Sequence, residues 1–155
     1  MTERGTSTAL SYVLTLSIAT LLVSGLLFAG STFVEDSREQ VIRQELQVIG
    51  EHLASNVEQV ERYANATDIV RSASIEQTFP SRVTGSTYDV TLSGGGGDPR
   101  LYLNATKPAV SVRIDLDSSS RIRNNADAYA DGGTIAIRCE GGGSDDCGGI
   151  VIENV

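Results

Sequence analysis

The sequence predicts an α+β protein in which a long N-terminal helix, first membrane-spanning and then amphipathic, is followed by a small antiparallel β-sheet head. Two observations support this prediction. No charged side chain lies between Arg4 and Glu35. From Ile69 onward, short runs of alternating and β-branched residues are separated by glycine-rich turn clusters, a spacing typical of hairpins. The predicted divisions are a short leader at 1–5, a spanning helix at 6–34, an amphipathic stalk at 35–66 and a β-rich head at 69–155.

The uncharged segment is long enough to cross a bilayer as a helix. A helix rises about 1.5 Å per residue and the hydrocarbon core is about 30 Å thick, so about 20 apolar residues suffice, and the run from Ala9 to Phe28 meets that length. A secretory signal peptide has a shorter apolar region, of about 7–15 residues, and then a small-residue cleavage site. Here the helical pattern continues without such a break. We therefore expect a retained spanning helix rather than a discarded signal.

The stalk that follows has the pattern of an amphipathic helix, because apolar residues recur at steps of three and four while charged residues occupy the other faces. The turn-forming sequence Asn-Ala-Thr-Asp at 65–68 predicts that the helix ends near Ala64. The apolar stripe consists of Ile42, Leu46, Ile49, Leu53, Val60 and Tyr63.

This stripe needs a partner, which is the C-terminal head, neighbouring copies of the chain, or both. A head that starts near Ile69 folds back most easily onto the far end of the stalk. We therefore expect the membrane-proximal part of the stripe to have no cover within its own chain and to be covered by other subunits. The predicted assembly face is Ile42, Leu46, Ile49 and Leu53.

The head is predicted to be a single antiparallel sheet laid against the outer half of the helix. Its apolar faces are modest and its aromatic content is low, so we do not expect a closed double-sheet core. The segment 121–131 is predicted to be either a short helix or a long loop. The predicted strands lie at 74–80, 86–93, 100–106, 109–116, 133–139 and 149–155.

Two cysteines and two sequons indicate an exported head. Cys139 and Cys147 bracket a glycine-rich loop that could bend back to close a disulfide, although two free thiols remain the alternative. A zinc site would need about four ligands, and the only histidine, His52, lies far away on the stalk. Disulfides imply an oxidising exterior, and the sequons at Asn65 and Asn104 are N-glycosylation acceptors of exported chains.

Composition excludes several functions. The net charge of −8 argues against binding to nucleic-acid phosphates or to anionic lipid. A single lysine, Lys107, beside many acidic residues suits solubility in concentrated salt, where repulsion between like charges is screened. The four glycines at 94–97 lack the Gly-Lys-Ser/Thr of a phosphate loop, and the acids Glu140, Asp145 and Asp146 are more typical of a solvated turn than of a calcium loop. We predict no catalytic, cofactor-binding or metal-binding residues, and no enzymatic activity.

The start of the chain has three parts: a polar leader ending in Arg4-Gly5, a small polar entry at 6–8, and the long apolar helix that continues as a stalk before a β-rich head. This arrangement resembles archaeal type IV pilin-like proteins with class III signal peptides, the group that includes pilins and archaellins. More narrowly, the block RGTSTALSYVLTLSIATLLVSGLLFAGSTFVEDSREQVIRQELQVIGEHLA looks like a set of small, uncharacterised haloarchaeal pilin-like proteins. The specific match covers about residues 4–54, and the head is matched only in general style.

The resemblance implies a type IV pilin-like fold and cleavage by the class III signal peptidase between Gly5 and Thr6, with Arg4 as the basic determinant. It also implies a single span in the cell membrane with the N-terminus cytoplasmic and the head extracellular, followed by assembly into a surface filament. The implied partners are membrane lipid, other pilin-like subunits, the class III signal peptidase and the type IV pilus assembly machinery. The polar start of the mature chain differs from major archaeal pilins and favours a minor subunit.

The expected function is thus a pilin-like structural subunit of a type IV pilus-like filament or pseudopilus. Parallel helices with an apolar first half and an amphipathic second half would bury a continuous filament core, and identical contacts that do not close give an open helical array. The alternative is a membrane-anchored surface protein that never polymerises and uses its sheet as a binding head. A membrane-tethered enzyme is the least favoured interpretation, because no catalytic constellation is present.

Overall fold

A computed structural model describes residues 3–65, 72–94, 98–117, 128–141 and 147–155. Within these ranges it leaves the side chains of residues 3–8, 65, 72, 140–141 and 147–148 undescribed.

The chain divides into one compact unit that ends at Arg38 and a second that runs from Glu39 to Val155. The first helix, α1, begins at Glu3 and ends at Asn65, which confirms the predicted continuous helix and places its end within one residue of the predicted Ala64.

The second unit contains seven strands, which form two antiparallel sheets. One sheet has three strands in the order β1-β6-β7, and the other has four in the order β4-β3-β2-β5. The predicted α+β class, a long apolar N-terminal helix followed by a small antiparallel β head, is confirmed. The strands are β1 (Ser72–Thr78), β2 (Tyr88–Ser93), β3 (Arg100–Ala105), β4 (Val110–Asp115), β5 (Ala128–Asp131), β6 (Thr134–Gly141) and β7 (Cys147–Asn154).

The expectation of a single sheet is wrong. The two sheets share one core with the stripe of α1, so that large apolar side chains of the helix pack together with those of the strands. Ile42, Leu46 and Leu53 from the helix are at most 1% exposed and belong to the same buried cluster as Leu101, Leu103 and Ile137 from the sheets. Sequence reasoning judged the strands alone and therefore underestimated the core.

The expectation for residues 121–131 is also wrong at its C-terminal end, where residues 128–131 form β5; residues 121–127 lie outside the described residues. In β5, Ala128 and Ala130 are buried while Tyr129 and Asp131 are exposed. A four-residue strand with only alanines on its inner face has little hydrophobic contrast, which is why its alternation escaped detection. The other six strands lie where the sequence predicts them, with ends shifted by at most two residues.

The predicted assembly face is the third correction. We expected Ile42, Leu46, Ile49 and Leu53 to lack cover within one chain, but they are 0%, 0%, 7% and 1% exposed. The head folds back over this part of the helix, and the sheet lies close to the helix backbone at Gly50. A Cβ at that position would lie 2.7 Å from Cγ1 of Ile114 and 2.9 Å from Cδ1 of Leu103. A glycine here lets the sheet approach the helix backbone, so no apolar stripe is left on this face for another subunit.

Candidate functional site

The first candidate surface is the apolar part of α1 before Arg38. Every large apolar side chain from Leu10 to Val34 is at least 51% exposed within the chain. Within the described residues, α1 is the one helix that is long and apolar enough to cross a membrane, over the part from Ala9 to Ala64. An apolar surface of this size on all sides of a helix is not stable in water, since each large side chain gains about 1.5–3 kcal/mol when it is removed from water.

Hydroxyl groups in this segment are bonded to the helix itself. Thr15, Ser17 and Thr20 each donate to the carbonyl oxygen four residues earlier, at 2.8–2.9 Å. Ser31 and Thr32 both donate to the carbonyl oxygen of Phe28, at 2.8 and 3.2 Å. These polar side chains therefore need no partner from lipid or from another helix. This outcome agrees with the sequence, where hydroxyl residues in an uncharged helix are expected to bond back in this way.

The second candidate surface is a groove in the head with a volume of about 520 Å³. This volume lies within the range of about 300–1,000 Å³ that is common for ligand sites. Its floor is formed by Ile49, Phe79 and Val83, which are buried, and Val48 forms an apolar wall that is 55% exposed. The polar residues at its rim are Gln44, Glu45, His52, Arg82 and Thr84.

A tight turn shapes one side of this groove. Val83 and Ser86 exchange both backbone hydrogen bonds, at 2.9 and 2.8 Å. The two residues between them have positive φ angles, +48° at Thr84 and +83° at Gly85, as in a type I′ turn. The Thr84 hydroxyl donates to the Glu45 carboxylate at 3.3 Å, so the turn is joined to the helix across the groove rim.

The third candidate surface is the outer face of the four-stranded sheet, which is polar and carries two tyrosines. The strand register places Tyr102 and Tyr129 in one row with Thr91 between them. The next row contains Asn104, Asp89 and Asp131. Asn104 donates to the Asp89 carboxylate at 3.0 Å, so these rows are fixed by side-chain contacts as well as by the ladder.

Electrostatics on this outer face are strongest around Tyr129 and Arg100. Tyr129 is 51% exposed, and its hydroxyl donates to the Asp131 carboxylate at 2.8 Å. This hydrogen bond, with the negative charges of Asp131 and Asp89, raises the pKa of Tyr129. At the other end of the face, hydrogen bonds to Tyr102 and Asp115 raise the pKa of Arg100. Tyr129 therefore presents a half-exposed ring beside a row that holds two carboxylates, Asp89 and Asp131.

The predicted sequons differ in their surroundings. Asn65 is the last residue of α1, and its side chain lies outside the described residues. Asn104 lies within β3, and its amide oxygen also accepts from the Ser111 hydroxyl at 2.8 Å. A glycosylated amide keeps one N–H and could still donate to Asp89. Glycosylation of either residue stays a prediction.

The predicted cysteine pair lies on neighbouring strands. β6 and β7 pair directly, with Gly141 opposite Cys147 and a register shift between Cys139 and Gly141. Cys139 is 2% exposed, and the described residues include no free cysteine. The Cys147 side chain lies outside the described residues, so the pairing stays a prediction. Of the acids considered for calcium, Asp145 and Asp146 lie outside the described residues and Glu140 has an undescribed side chain. The described residues hold no cluster of three potential metal ligands.

The predicted cleavage residues occupy the first turns of α1. Arg4, Gly5 and Thr6 follow its first residue, Glu3, and their side chains are among those left undescribed. The structure therefore does not test cleavage after Gly5, which stays a prediction. It does add two surfaces that sequence reasoning missed, the groove and the polar sheet face, because both depend on how β2, β5 and the 79–84 segment are placed in the fold.

These features define a class of protein: a single helix long and apolar enough to cross a membrane, joined in sequence to a small α+β head. The chain belongs to a family described as "Family of unknown function (DUF7266)", whose model matches residues 1–151. No curated protein and no solved structure matches the chain.

Proposed function

We propose that this chain is a pilin-like structural subunit, a minor component of a type IV pilus-like filament or pseudopilus that is anchored in the membrane before assembly. The observation that supports this proposal most is a contrast along α1. The large apolar side chains from Leu10 to Val34 are at least 51% exposed, whereas the stripe from Ile42 to Val60 is at most 7% exposed. The first part is left for an apolar partner and the second part already has one.

The exposed apolar side chains from Leu10 to Val34 can be removed from water in two environments, a bilayer and a bundle of like helices. The hydroxyl groups of Thr15, Ser17 and Thr20 are bonded within the helix, so transfer from one environment to the other breaks no hydrogen bond of these groups. A Cβ added at Gly25 or Gly30 would meet nothing within 4 Å, and small residues allow close helix contact in an apolar medium. Both properties suit a helix that is first an anchor and then part of a filament core.

Because the head covers the stripe of the stalk, the proposed assembly surface lies earlier on α1 than the sequence predicted. The residues Ile42, Leu46, Ile49 and Leu53 are used by the head's own core, so the helix contacts between copies are assigned to the segment from Leu10 to Val34. We further propose that the N-terminus is cytoplasmic, that the head is extracellular, and that the leader is removed after Gly5. The sequons, and the two cysteines on the neighbouring strands β6 and β7, support an exported head.

The second candidate function is an anchored surface protein that does not polymerise. The groove at Val48 and His52 favours it, because a binding head needs a concave surface and a filament core does not. The two functions make different predictions for contacts between copies within the membrane segment.

The decisive experiment places a photo-crosslinking amino acid at Phe33, which is 72% exposed, in the full chain in native membranes. A filament subunit crosslinks to other copies or to other pilin-like chains, and it is recovered in sheared filament fractions. An anchored module crosslinks to lipid alone and stays with the membranes. That result would contradict the filament subunit and favour the anchored surface protein. The matched control places the probe at Leu46, which is 0% exposed and should capture only residues of its own chain.

Mass spectrometry of the same material tests the leader and the cysteines. Mature protein that starts at Thr6 supports cleavage after Gly5, and Arg4→Glu or Gly5→Leu should leave an uncut species. Thr8→Ala, which leaves the Arg-Gly pair intact, is the control. An intact leader in cells with a working class III peptidase contradicts the cleavage proposal, and alkylation of Cys139 and Cys147 without reduction contradicts the disulfide.

A further inference from the structure

The head carries two exposed surfaces, a groove whose rim holds an arginine unpaired among the described residues and a sheet face with a tyrosine beside two carboxylates. The groove described above has an apolar floor at Phe79 and Val83 and two basic side chains at its rim, His52 and Arg82. The outer sheet face carries a half-exposed aromatic ring, Tyr129, with the carboxylates of Asp89 and Asp131 together in the next row. Neither surface is occupied within one chain, since Val48 on the groove wall is 55% exposed and Tyr129 is 51% exposed.

We propose that the groove of one copy receives Tyr129 of a second copy, with Arg82 facing Asp131 and Asp89 across the contact. This inference rests on the proposed function, because it describes how heads meet once copies are brought side by side. The ring of Tyr129 covers Val48 and the floor of the groove. The two carboxylates meet Arg82.

Charge distribution identifies Tyr129 as the occupant. Its hydroxyl is held by Asp131 at 2.8 Å, so the ring and the carboxylate approach a partner together. The groove rim offers Arg82 without an ion pair among the described residues, while the Glu45 carboxylate at the same rim accepts from Thr84. Opposite charges arranged in this way select orientation and partner more than they add affinity.

Tyr63 is the other exposed tyrosine of the head, and it lacks these features. It is 54% exposed, and its hydroxyl oxygen accepts from Gln59 at 3.0 Å rather than donating to a carboxylate. The groove is lined by the helix and the 79–84 segment, whereas Tyr129 lies on the outer face of the four-stranded sheet, so the two surfaces are different. Such a contact is heterologous and repeats from copy to copy without closing, unless rotation brings the last copy to the first.

The test uses full-length chains in native membranes, with two differently tagged copies expressed together. A photo-crosslinking amino acid at position 129 of one copy should give a doubly tagged product, mapped by mass spectrometry to residues 44–52 or 79–84 of the other. The same probe at Tyr63, which is equally exposed, should give little of this product. A product that maps elsewhere, or the same yield from both positions, overturns the proposal.

Charge reversal tests the polar part of the contact. Arg82→Glu in the copy that supplies the groove should lower the yield about two- to fivefold, as expected for an exposed ion pair. Asp131→Arg in the copy that carries the probe should restore the yield when combined with Arg82→Glu. An Arg82→Glu yield equal to that of the parent, or no recovery in the reversed pair, overturns the assigned partners.

The probe at Phe33 separates failure of this inference from failure of the proposed function. If Phe33 crosslinks copies while Tyr129 does not, the chain assembles through its helix and the groove contact is wrong. If neither position crosslinks copies, the anchored-module function replaces the filament subunit and the groove contact falls with it.

Discussion

The side-chain amide of Asn154 makes two hydrogen bonds with the backbone of Asp131. Its nitrogen donates to the Asp131 carbonyl and its oxygen accepts from the Asp131 N–H, both at 2.8 Å. Asn154 belongs to β7 in one sheet, and Asp131 belongs to β5 in the other. The amide therefore acts as a substitute strand partner and joins the two sheets at a place where neither ladder continues.

Asn154→Ala should destabilise the head by about 1–2 kcal/mol, because each lost hydrogen bond contributes about 0.5–1.5 kcal/mol net and these two are partly exposed to water. Asn154→Asp keeps the acceptor and loses the donor, which by itself gives a destabilisation between those of the parent and Asn154→Ala. Repulsion between the new carboxylate and the Asp131 carbonyl oxygen makes the destabilisation larger. Denaturant unfolding in detergent and hydrogen exchange of β5 and β7 measure both. Glu153→Gln is the control, since its ion pair with Arg138 is about half exposed and such pairs contribute about 0–1 kcal/mol. Equal stabilities of the Asn154→Ala and parent proteins would show that the link is not needed.

Gly50→Ala should destabilise the head despite the better helix propensity of alanine, which is worth about 1 kcal/mol. The added Cβ would meet Ile114 Cγ1 at 2.7 Å, and overpacking of this kind costs about 1–3 kcal/mol. Ile114→Ala removes the nearest clashing atom and leaves only Cδ1 of Leu103 at 2.9 Å, so the double variant should lose less than the sum of the two single variants. Gly30→Ala, where nothing lies within 4 Å, is the control. Thermal unfolding decides the sign, and a Gly50→Ala head more stable than the parent contradicts the close packing.

Thr84→Asn should stabilise the turn that borders the groove. Thr84 has a φ of +48°, a conformation that costs a β-branched residue about 1–2 kcal/mol, whereas asparagine adopts it readily. Asn-Gly is also the preferred pair for a type I′ turn. Thr84→Val keeps the backbone conformation and removes the hydroxyl contact with Glu45, so it measures that contact separately. A melting temperature for Thr84→Asn at or below that of the parent would contradict this account.

Tyr88 should make the head sensitive to alkali. Burial raises the pKa of Tyr88 to about 12, and its hydroxyl donates to the Pro80 carbonyl at 2.9 Å. The folded head holds this proton more tightly than the unfolded chain, where the pKa is about 10. Its contribution is therefore complete below about pH 10 and is lost as the pH rises towards about 12. Unfolding experiments between about pH 8 and 12 should show a larger loss of stability in the parent and in Tyr63→Phe than in Tyr88→Phe, which starts about 1 kcal/mol less stable at neutral pH and keeps the smaller loss due to Tyr129.

Sequence patterns were sufficient where a single element carried its own contrast. In β2 and β3, buried and less buried residues alternate along each strand, and that alternation is visible in the sequence. The cover on Ile42 and Leu46 was not visible, because it depends on strands far along the chain and on the small size of Gly50. The groove and the Asn154 link arise in the same way from residues that only the fold brings together. Periodicity reports which side of an element is apolar and does not report what covers it.

Leu46 and Val48 lie two residues apart on α1, and the same substitution should change the stability of the head at Leu46 but not at Val48. Leu46 is 0% exposed in the core and Val48 is 55% exposed on the groove wall. Leu46→Ser removes buried methyl groups and introduces a hydroxyl, so it should destabilise the head by at least about 2–5 kcal/mol. Val48→Ser should leave thermal unfolding unchanged, because its side chain already contacts water.

The same pair distinguishes a folding effect from an assembly effect. Val48→Ser should lower the crosslinking yield from position 129 to the groove of a second copy, while Leu46→Ser should lower every yield in proportion to the unfolded fraction. Val41→Ser is the control, since Val41 is 42% exposed on the same helix and does not line the groove. If Val41→Ser and Val48→Ser reduce crosslinking equally, the helix surface and not the groove forms the contact. If Leu46→Ser leaves the head as stable as the parent, the stripe is not the core that its burial indicates.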